Sequence, residues 1–301
     1  MKPLVVYTKA STKWIQKLLD LGDRLDFVDV FDPTAHAAPN RVAYFRIPDD
    51  PGGEAAMEAL RIAKALRARG ARVVNDPKLK LGRMGKADCY SVLRRAGIRT
   101  PACISNPTIH QIMFALESGD LSFPFLLRRQ NSLNGIGTDM VRGESQLKPI
   151  LERHRVSGWQ FMACEWIDAK GLDGLYWKWR PYVFGGKVDM WEAGNAKVWM
   201  VNLADNQSVD APRFRAANEM AAWPRKWDVL METAAESLRL DVCAFDVLLD
   251  PKNPRLPIIT DINETYGMTA DLLPLDLFSP KTKLERAGHY TRLADWLETL
   301  A

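Results

Sequence analysis

The sequence predicts an α+β protein, and three observations carry that prediction. Up to about residue 80, short apolar runs alternate with helix-like stretches, the pattern of a small α/β layer with parallel strands. From Trp159 onward the strand-like runs lengthen and follow one another directly, as in an antiparallel sheet. Near the end, two apolar runs at 242–249 and 257–264 flank the turn-like Asp250-Pro251-Lys252-Asn253-Pro254, and both carry oxygen-bearing side chains.

Taken in order, residues 4–7, 27–30, 42–45 and 72–75 read as strands. Residues 13–21 and 53–69 read as helices, the second rich in alanine and leucine and closed by Gly70. A helix over 86–96 ends at Gly97, and another covers 108–117. A strand at 125–128 then leads through the polar loop Gln130-Asn131-Ser132-Leu133-Asn134-Gly135-Ile136-Gly137 to a return strand toward Val141. Further strands are expected at 160–167, 177–184, 187–193 and 197–201, followed by a helix from about 227 to 238. Residues 275–301 read as a helical tail.

The composition, 47% hydrophobic and 26% charged over 301 residues, is that of an ordinary globular protein with room for two or three subdomains. No apolar run is long enough to span a bilayer, so no membrane is expected, and the first residues read as an opening strand, not a signal peptide. Four cysteines (Cys89, Cys103, Cys164, Cys243) lack metal-type spacing and fit reduced thiols in a cytoplasmic protein. A net charge of +4 suits an anionic ligand without demanding nucleic acid, and none is expected. Trp177, Trp179, Trp191 and Trp199 alternate with other residues at strand spacing, which favours packing over base stacking.

Candidate chemistry begins with Asp246, Asp261 and Asn263. Asp261 and Asn263 lie two apart and share a strand face, and Asp246 is placed to join them from the preceding strand. Oxygen ligands of this kind suit magnesium, which leaves other positions to water or phosphate; the plain alternative is strand-end carboxylates beside a turn. Gly135 and Gly137 allow a backbone to wrap a phosphate, although Gly-x-Gly is also an ordinary hairpin turn. Arg128 and Arg129, adjacent on a strand, point to opposite faces, so one is able to reach a nucleotide. Cys164-Glu165-Trp166-Ile167 ends an apolar strand whose backbone groups can pair with an adenine edge, with Glu165 as an acceptor or as a surface ion pair. Arg180 suits a phosphoryl group or carboxylate, or stacking on tryptophan. Lys86, at a helix start, is a point charge for phosphate or for solvent. The four histidines accompany no nucleophile motif, and no Walker loop or dinucleotide fingerprint is present.

In this order the pieces resemble the ATP-grasp superfamily over about residues 70 to 270. Val74-Asn75-Asp76, Lys86, Leu93 and Gly97-Ile98-Arg99-Thr100-Pro101 are similar to its lead-in. Residues 123–128 resemble the strand that ends in a nucleotide-binding lysine, here Arg128. Gly135 and Gly137 follow in the register of the ribosomal-protein glutamate ligases and their relatives, and 164–167 is similar to the adenine hinge. Arg180 with 183–188 resembles the family's Arg-x-x-Val-x-Gly strands, Asn202 its phosphate-side asparagine, and Asp246, Asp261 and Asn263 its Asp … Glu-x-Asn metal set. Lys178 stands where close relatives carry a nucleotide-binding aspartate, Met200 where they carry an arginine, and Asp261 where the family carries glutamate.

The resemblance implies an ATP-grasp fold. Residues 1–80 would form an α/β pre-domain, 81–160 a small lid domain, and 161–301 a larger antiparallel-sheet domain with a helical tail. It implies an ATP- and magnesium- or manganese-dependent carboxylate–amine ligase acting through an acyl phosphate on an amino acid or peptide. Homodimers are common in the family. Lys86 and Arg128 would hold phosphates under the Gly135–Gly137 loop, Glu165, Trp166 and Ile167 would hold adenine, Asn202 would lie beside the phosphates, and Arg180 would stabilise the acyl phosphate. A non-catalytic ATP-binding regulator and a phosphotransferase acting on a hydroxyl are the alternatives.

Overall fold

The computed structural model describes residues 1–9, 16–48, 53–78, 85–130, 135–201, 227–250, 253–264 and 280–301. Three four-stranded sheets organise them. The first contains β1 (Leu4–Tyr7), β2 (Asp26–Asp29), β3 (Val42–Arg46) and β4 (Arg72–Val74) in the order β2-β1-β3-β4, all parallel. Helix α1 (Gln16–Leu19) falls inside the expected 13–21. Helix α2 (Glu54–Ala68) returns the chain between β3 and β4. Its apolar stripe, Ala55, Ala59, Ile62, Ala63 and Leu66, recurs every three or four residues and buries against Val6, Ala43 and Phe45.

Helix α3 (Lys86–Arg95) leads to the second sheet, which is antiparallel throughout: β5 (Cys103–Ser105), β6 (Phe125–Arg129), β7 (Thr138–Val141) and β8 (Phe161–Glu165) in the order β5-β8-β6-β7. Phe125, Leu127 and Val141 on one face pack under α4 (Ile109–Ser118) and α5 (Glu144–Val156). A capping box between Thr108 and Gln111 starts α4 by satisfying otherwise unpaired N–H groups. Leu126, Met162 and Cys164 occupy the opposite face and pack toward Ala87 and Tyr90 of α3.

The third sheet is also antiparallel: β9 (Tyr176–Phe184), β10 (Lys187–Ala196), β11 (Val242–Asp250) and β12 (Asn253–Asn263) in the order β10-β9-β11-β12. Its faces differ sharply. Trp179, Val183, Ala193, Cys243, Phe245 and Val247 bury against α3 and α6 (Asp228–Leu238), and Trp177 stacks on Trp179 with ring centroids 5.4 Å apart. The expectation that tryptophans pack a sheet face therefore holds for Trp177, Trp179 and Trp191, whereas Trp199 lies beyond the end of β10. The other face carries Lys178, Arg180, Asp246, Asp261 and Asn263 in one part and the apolar Tyr182, Val242 and Ala244 in another.

The strand expected over 197–201 does not form. Pairing between β9 and β10 ends at Ala196 opposite Tyr176, where β9 itself begins. Residues 197–200 bend, and among the described residues no strand pairs with them. Helix α7 (Pro280–Thr299) closes the chain. Its Tyr290, Leu293, Ala294 and Leu297 join Val5, Val42 and Tyr44 of the first sheet to Tyr182, Val242 and Ala244 of the third. His289 and Arg292 of this helix bind Asp189 on β10 at 2.6 Å each. No helix among the described residues is long and apolar enough to cross a membrane.

Candidate functional site

Strand pairing builds the centre of the site. Asp246 on β11 lies directly opposite Asp261 on β12, and Asn263 lies opposite Ala244. A bulge after this pair takes up Thr260, whose hydroxyl donates to the Asp246 carbonyl at 3.1 Å. Both aspartates and Asn263 thus share one face, as the alternation of the sequence anticipates.

Each carboxylate is ringed by cations from other elements. Asp246 Oδ1 accepts from Arg180 Nε at 2.8 Å and pairs with its terminal nitrogen at 2.7 Å, while Oδ2 accepts from Lys178 Nζ at 3.0 Å. Lys178 and Arg180 are two apart on β9, so both lean onto the same neighbour. Burial pushes the Asp246 carboxyl up, but Arg180 and Lys178 outweigh it and hold the group at about 2. Burial also works against the cations. It prevails at Lys178, whose ammonium falls below the usual lysine range; at Arg180 the field of Asp246 wins and the guanidinium is held more firmly charged.

Asp261 takes its partners from across the gap between the second and third sheets. Lys86, the first residue of α3 and 7% exposed, places Nζ 3.0 Å from Oδ1, which also accepts from the Ile262 N–H at 2.9 Å. Arg128, at the end of β6, donates to the Thr260 carbonyl at 3.3 Å and reaches Asp261 Oδ2 only at 3.4 Å. Its buried Nε has no hydrogen-bond partner among the described residues. Tyr90, one turn beyond Lys86, also donates to the Thr260 carbonyl.

The two glycines after β6 have close neighbours of their own. Gly135 has φ +72°, and a Cβ there would sit 2.5 Å from Met200 Sδ. The loop therefore rests on Met200, which follows the third sheet. Gly137 has φ +69°, and its bare Cα leaves room for Arg129, whose guanidinium stacks on Trp159 with 4.3 Å to the ring centroid. Arg128 and Arg129 do take opposite faces. Glu165 ends β8, and its carboxylate accepts from the Ala102 N–H at 3.1 Å while its own N–H donates to the Ala102 carbonyl at 2.8 Å. Trp166 and Ile167 continue from this strand end, half-buried. Asn202 lies outside the described residues.

The site also contains groups that sequence reasoning passed over. Gln130 is buried; its amide accepts from the Ala87 N–H at 3.3 Å and donates to Ser105 Oγ at 2.7 Å, fastening the start of α3 to the second sheet. Glu192, opposite Arg180 on β10, accepts from the Tyr182 hydroxyl. Lys178 carried a legible signal, since it shares the face of Arg180; its carboxylate partner, 68 residues later in the chain, did not.

As donors for a divalent cation these residues divide. Among the described residues, Asp261 Oδ2 has the long Arg128 contact and the buried amide nitrogen of Asn263 has no hydrogen-bond partner, so turning that amide over offers an oxygen there. Both fit magnesium, a hard cation that takes oxygen. Asp246 already spends both oxygens on Lys178 and Arg180. Among the described residues no three His, Cys, Asp or Glu side chains form a group able to hold a metal.

Solved structures share this architecture along nearly the whole chain. A RimK-domain ATP-grasp protein from Sphaerobacter thermophilus aligns over 98% of this chain and 99% of its own, with TM-score 0.57 and 17% identity. The D-alanine–D-alanine ligase from Bacillus anthracis in complex with ATP aligns over 98% and 95%, with TM-score 0.64 and 16% identity. The ATP-grasp ligase PsnB bound to its minimal precursor aligns over all of both chains, with TM-score 0.62 and 13% identity. No protein-family model matches the sequence, and no curated protein matches it. The chain has the ATP-grasp fold. At these identities the likeness is one of architecture, and chemistry must be argued from the site itself.

Proposed function

We propose that this chain is an ATP- and magnesium-dependent carboxylate–amine ligase that works through an acyl phosphate on an amino acid or peptide. The observation that carries the reading is the convergence of Lys86, Arg128, Lys178 and Arg180 on Asp246 and Asp261 between two sheets. Four cations against two carboxylates leave positive charge in excess, even with Glu192 counted, and a triphosphate is the ligand that such an excess suits. PsnB, by its description, binds a precursor peptide and a nucleotide, and the Bacillus anthracis enzyme joins D-alanine units. Both support an amino acid or peptide as substrate.

In this reading the lid is the sheet of β5 to β8, which runs to Glu165 and so ends a little beyond residue 160. Lys86 and the free Nε–H of Arg128 bind phosphate oxygens, and the Gly135–Gly137 loop covers them. Backbone groups around Glu165, Trp166 and Ile167 take the adenine edge, Glu165 itself being tied to Ala102. Asp261 and Asn263 would hold magnesium, with Asp246 facing them, and the family resemblance would assign Asn202 to the phosphates. When bound, the ion would offset the negative charge of the phosphates.

A substrate carboxylate oxygen attacks the γ-phosphorus. The bond to the bridging oxygen breaks and ADP leaves with that electron pair. Arg180 offsets charge on the resulting acyl phosphate. An amine then attacks the acyl carbon, expelling phosphate and losing a proton. Positioning and charge neutralisation do most of this work, so the absence of a nucleophile motif is no obstacle.

ADP release, assayed over a panel of amino acids and short peptides, tests the reading. ADP formed only when a carboxylate and an amine are both present supports ligation, whereas ADP with a stable phosphorylated hydroxyl product would replace it with phosphotransfer. The Lys178–Asp246 pair favours one second reading, a nucleotide-binding regulator, and tight ATP binding without turnover on any substrate would select it.

A further inference from the structure

We propose that Lys178 is a built-in cation that takes the place of a metal ion at Asp246, so that the chain binds its nucleotide with a single divalent ion, held at Asp261 and Asn263. The inference rests on the nucleotide-binding reading above and concerns how that site is charged.

The two carboxylates differ in what they have left to offer. Asp246 Oδ2 accepts from Lys178 Nζ at 3.0 Å, and Oδ1 is taken by Arg180 at 2.7 and 2.8 Å. Both are charge-assisted contacts between largely buried groups. The Lys178 ammonium is compact and carries its charge at a point, like a small metal ion, and it has further N–H donors to turn toward a phosphate oxygen. A divalent ion at Asp246 would have to displace this ammonium while facing the Arg180 guanidinium across the same carboxylate. Repulsion at such separations is strong wherever water is scarce.

Asp261 also faces two cations, Lys86 and Arg128, but one of its oxygens meets its cation at a longer distance. Its Oδ2 meets Arg128 at 3.4 Å, and on the same strand face Asn263 has a buried amide nitrogen without a hydrogen-bond partner among the described residues. A phosphate-bound ion can share Asp261 with Lys86 and take the Asn263 oxygen without evicting a close partner. Lys178 thus serves as a positioning residue: it neutralises Asp246 and presents its remaining donors to the phosphates on the face where Asp246 and Asp261 meet.

Counting bound Mn2+ by electron paramagnetic resonance, with the full chain saturated by a non-hydrolysable ATP analogue, tests this directly. The expected count is one ion per bound nucleotide in the unaltered chain and in Lys178→Arg, which keeps a cation. It rises to two in Lys178→Met, where the second ion should bind at least tenfold more tightly than in the unaltered chain. Nucleotide occupancy is measured separately by calorimetry. An unaltered chain that binds nucleotide with two ions overturns the proposal alone and needs no variant to do so. A folded Lys178→Met that binds nucleotide with one ion also overturns it. An unaltered chain that binds no nucleotide at all removes the functional reading together with the proposal.

Discussion

Asp246 concentrates the electrostatics of the molecule in one side chain. Replacing it by asparagine leaves Lys178 and Arg180 buried without their counter-charge. Breaking a buried pair from one side costs on the order of 3–5 kcal/mol, so Asp246→Asn should lower stability by about that much in urea unfolding of the metal-free protein. The same residue sets an acid limb. Its carboxyl is held at about 2 in the fold against 3.8 normally. A depressed folded value means that the unfolded chain takes up the proton first. This contribution, roughly 2 kcal/mol, is complete above about pH 4 and is lost as the pH falls toward 2. Asp246→Asn should flatten stability across that window, and an unchanged slope there would count against the ion-pair geometry. At this scale the sequence was readable where alternation decides: Asp261 and Asn263 share a face, Arg128 and Arg129 do not, and a strand on either side of one turn brings Asp246 opposite Asp261. It was silent on which cations close on which carboxylate, because Lys178 and Arg180 stand 68 and 66 positions before Asp246 in the chain.

Helix α3 and strand β6 together place Lys86 and Arg128, and Gln130 joins the two elements. Its amide supports the Ala87 N–H at one end and Ser105 at the other. Gln130→Leu keeps the bulk and removes both bonds, leaving buried polar groups unpaired. The expected loss is about 1–3 kcal/mol by thermal or urea denaturation, with weaker nucleotide binding because Lys86 is no longer fixed at the start of its helix. Equal stability and equal affinity would show that α3 is held by packing alone. Long elements with clear periodicity, such as α2, β9 and β11, announced themselves. Two that did not have simple physical reasons. Strand β5 is only three residues long and is defined by its pairing with β8. Helix α5 carries Pro149 inside it, a residue that reads as a helix breaker, yet Leu147, Leu151 and His154 still bury one face. The opposite error, a strand over 197–201, shows that apolar alternation makes a strand only where a neighbouring edge remains to be paired.

Among the described residues, three sheets are joined along an apolar seam and a charged one. One is apolar, where the first sheet, the third sheet and α7 share a core that contains Tyr44, Tyr182 and Leu293. The other is charged, where the second sheet and α3 lean across to β12 through Arg128, Tyr90 and Lys86. The apolar seam fixes the frame, and the charged seam is where a phosphate ligand gains most, since its charge can take over part of the work now done by Asp246 and Asp261. The architecture could be anticipated because ordered motifs span most of the chain. The redistribution of charge at Lys178 could not, because it depends on distances. If this charged seam takes ATP with a divalent ion, calorimetric titration of the full chain with a non-hydrolysable ATP analogue and magnesium should give saturable one-to-one binding. That binding should weaken at least tenfold when Lys86 and Arg128 are both replaced by alanine in a variant that remains folded. No binding by the unaltered chain, or equal binding by the two, would contradict this reading.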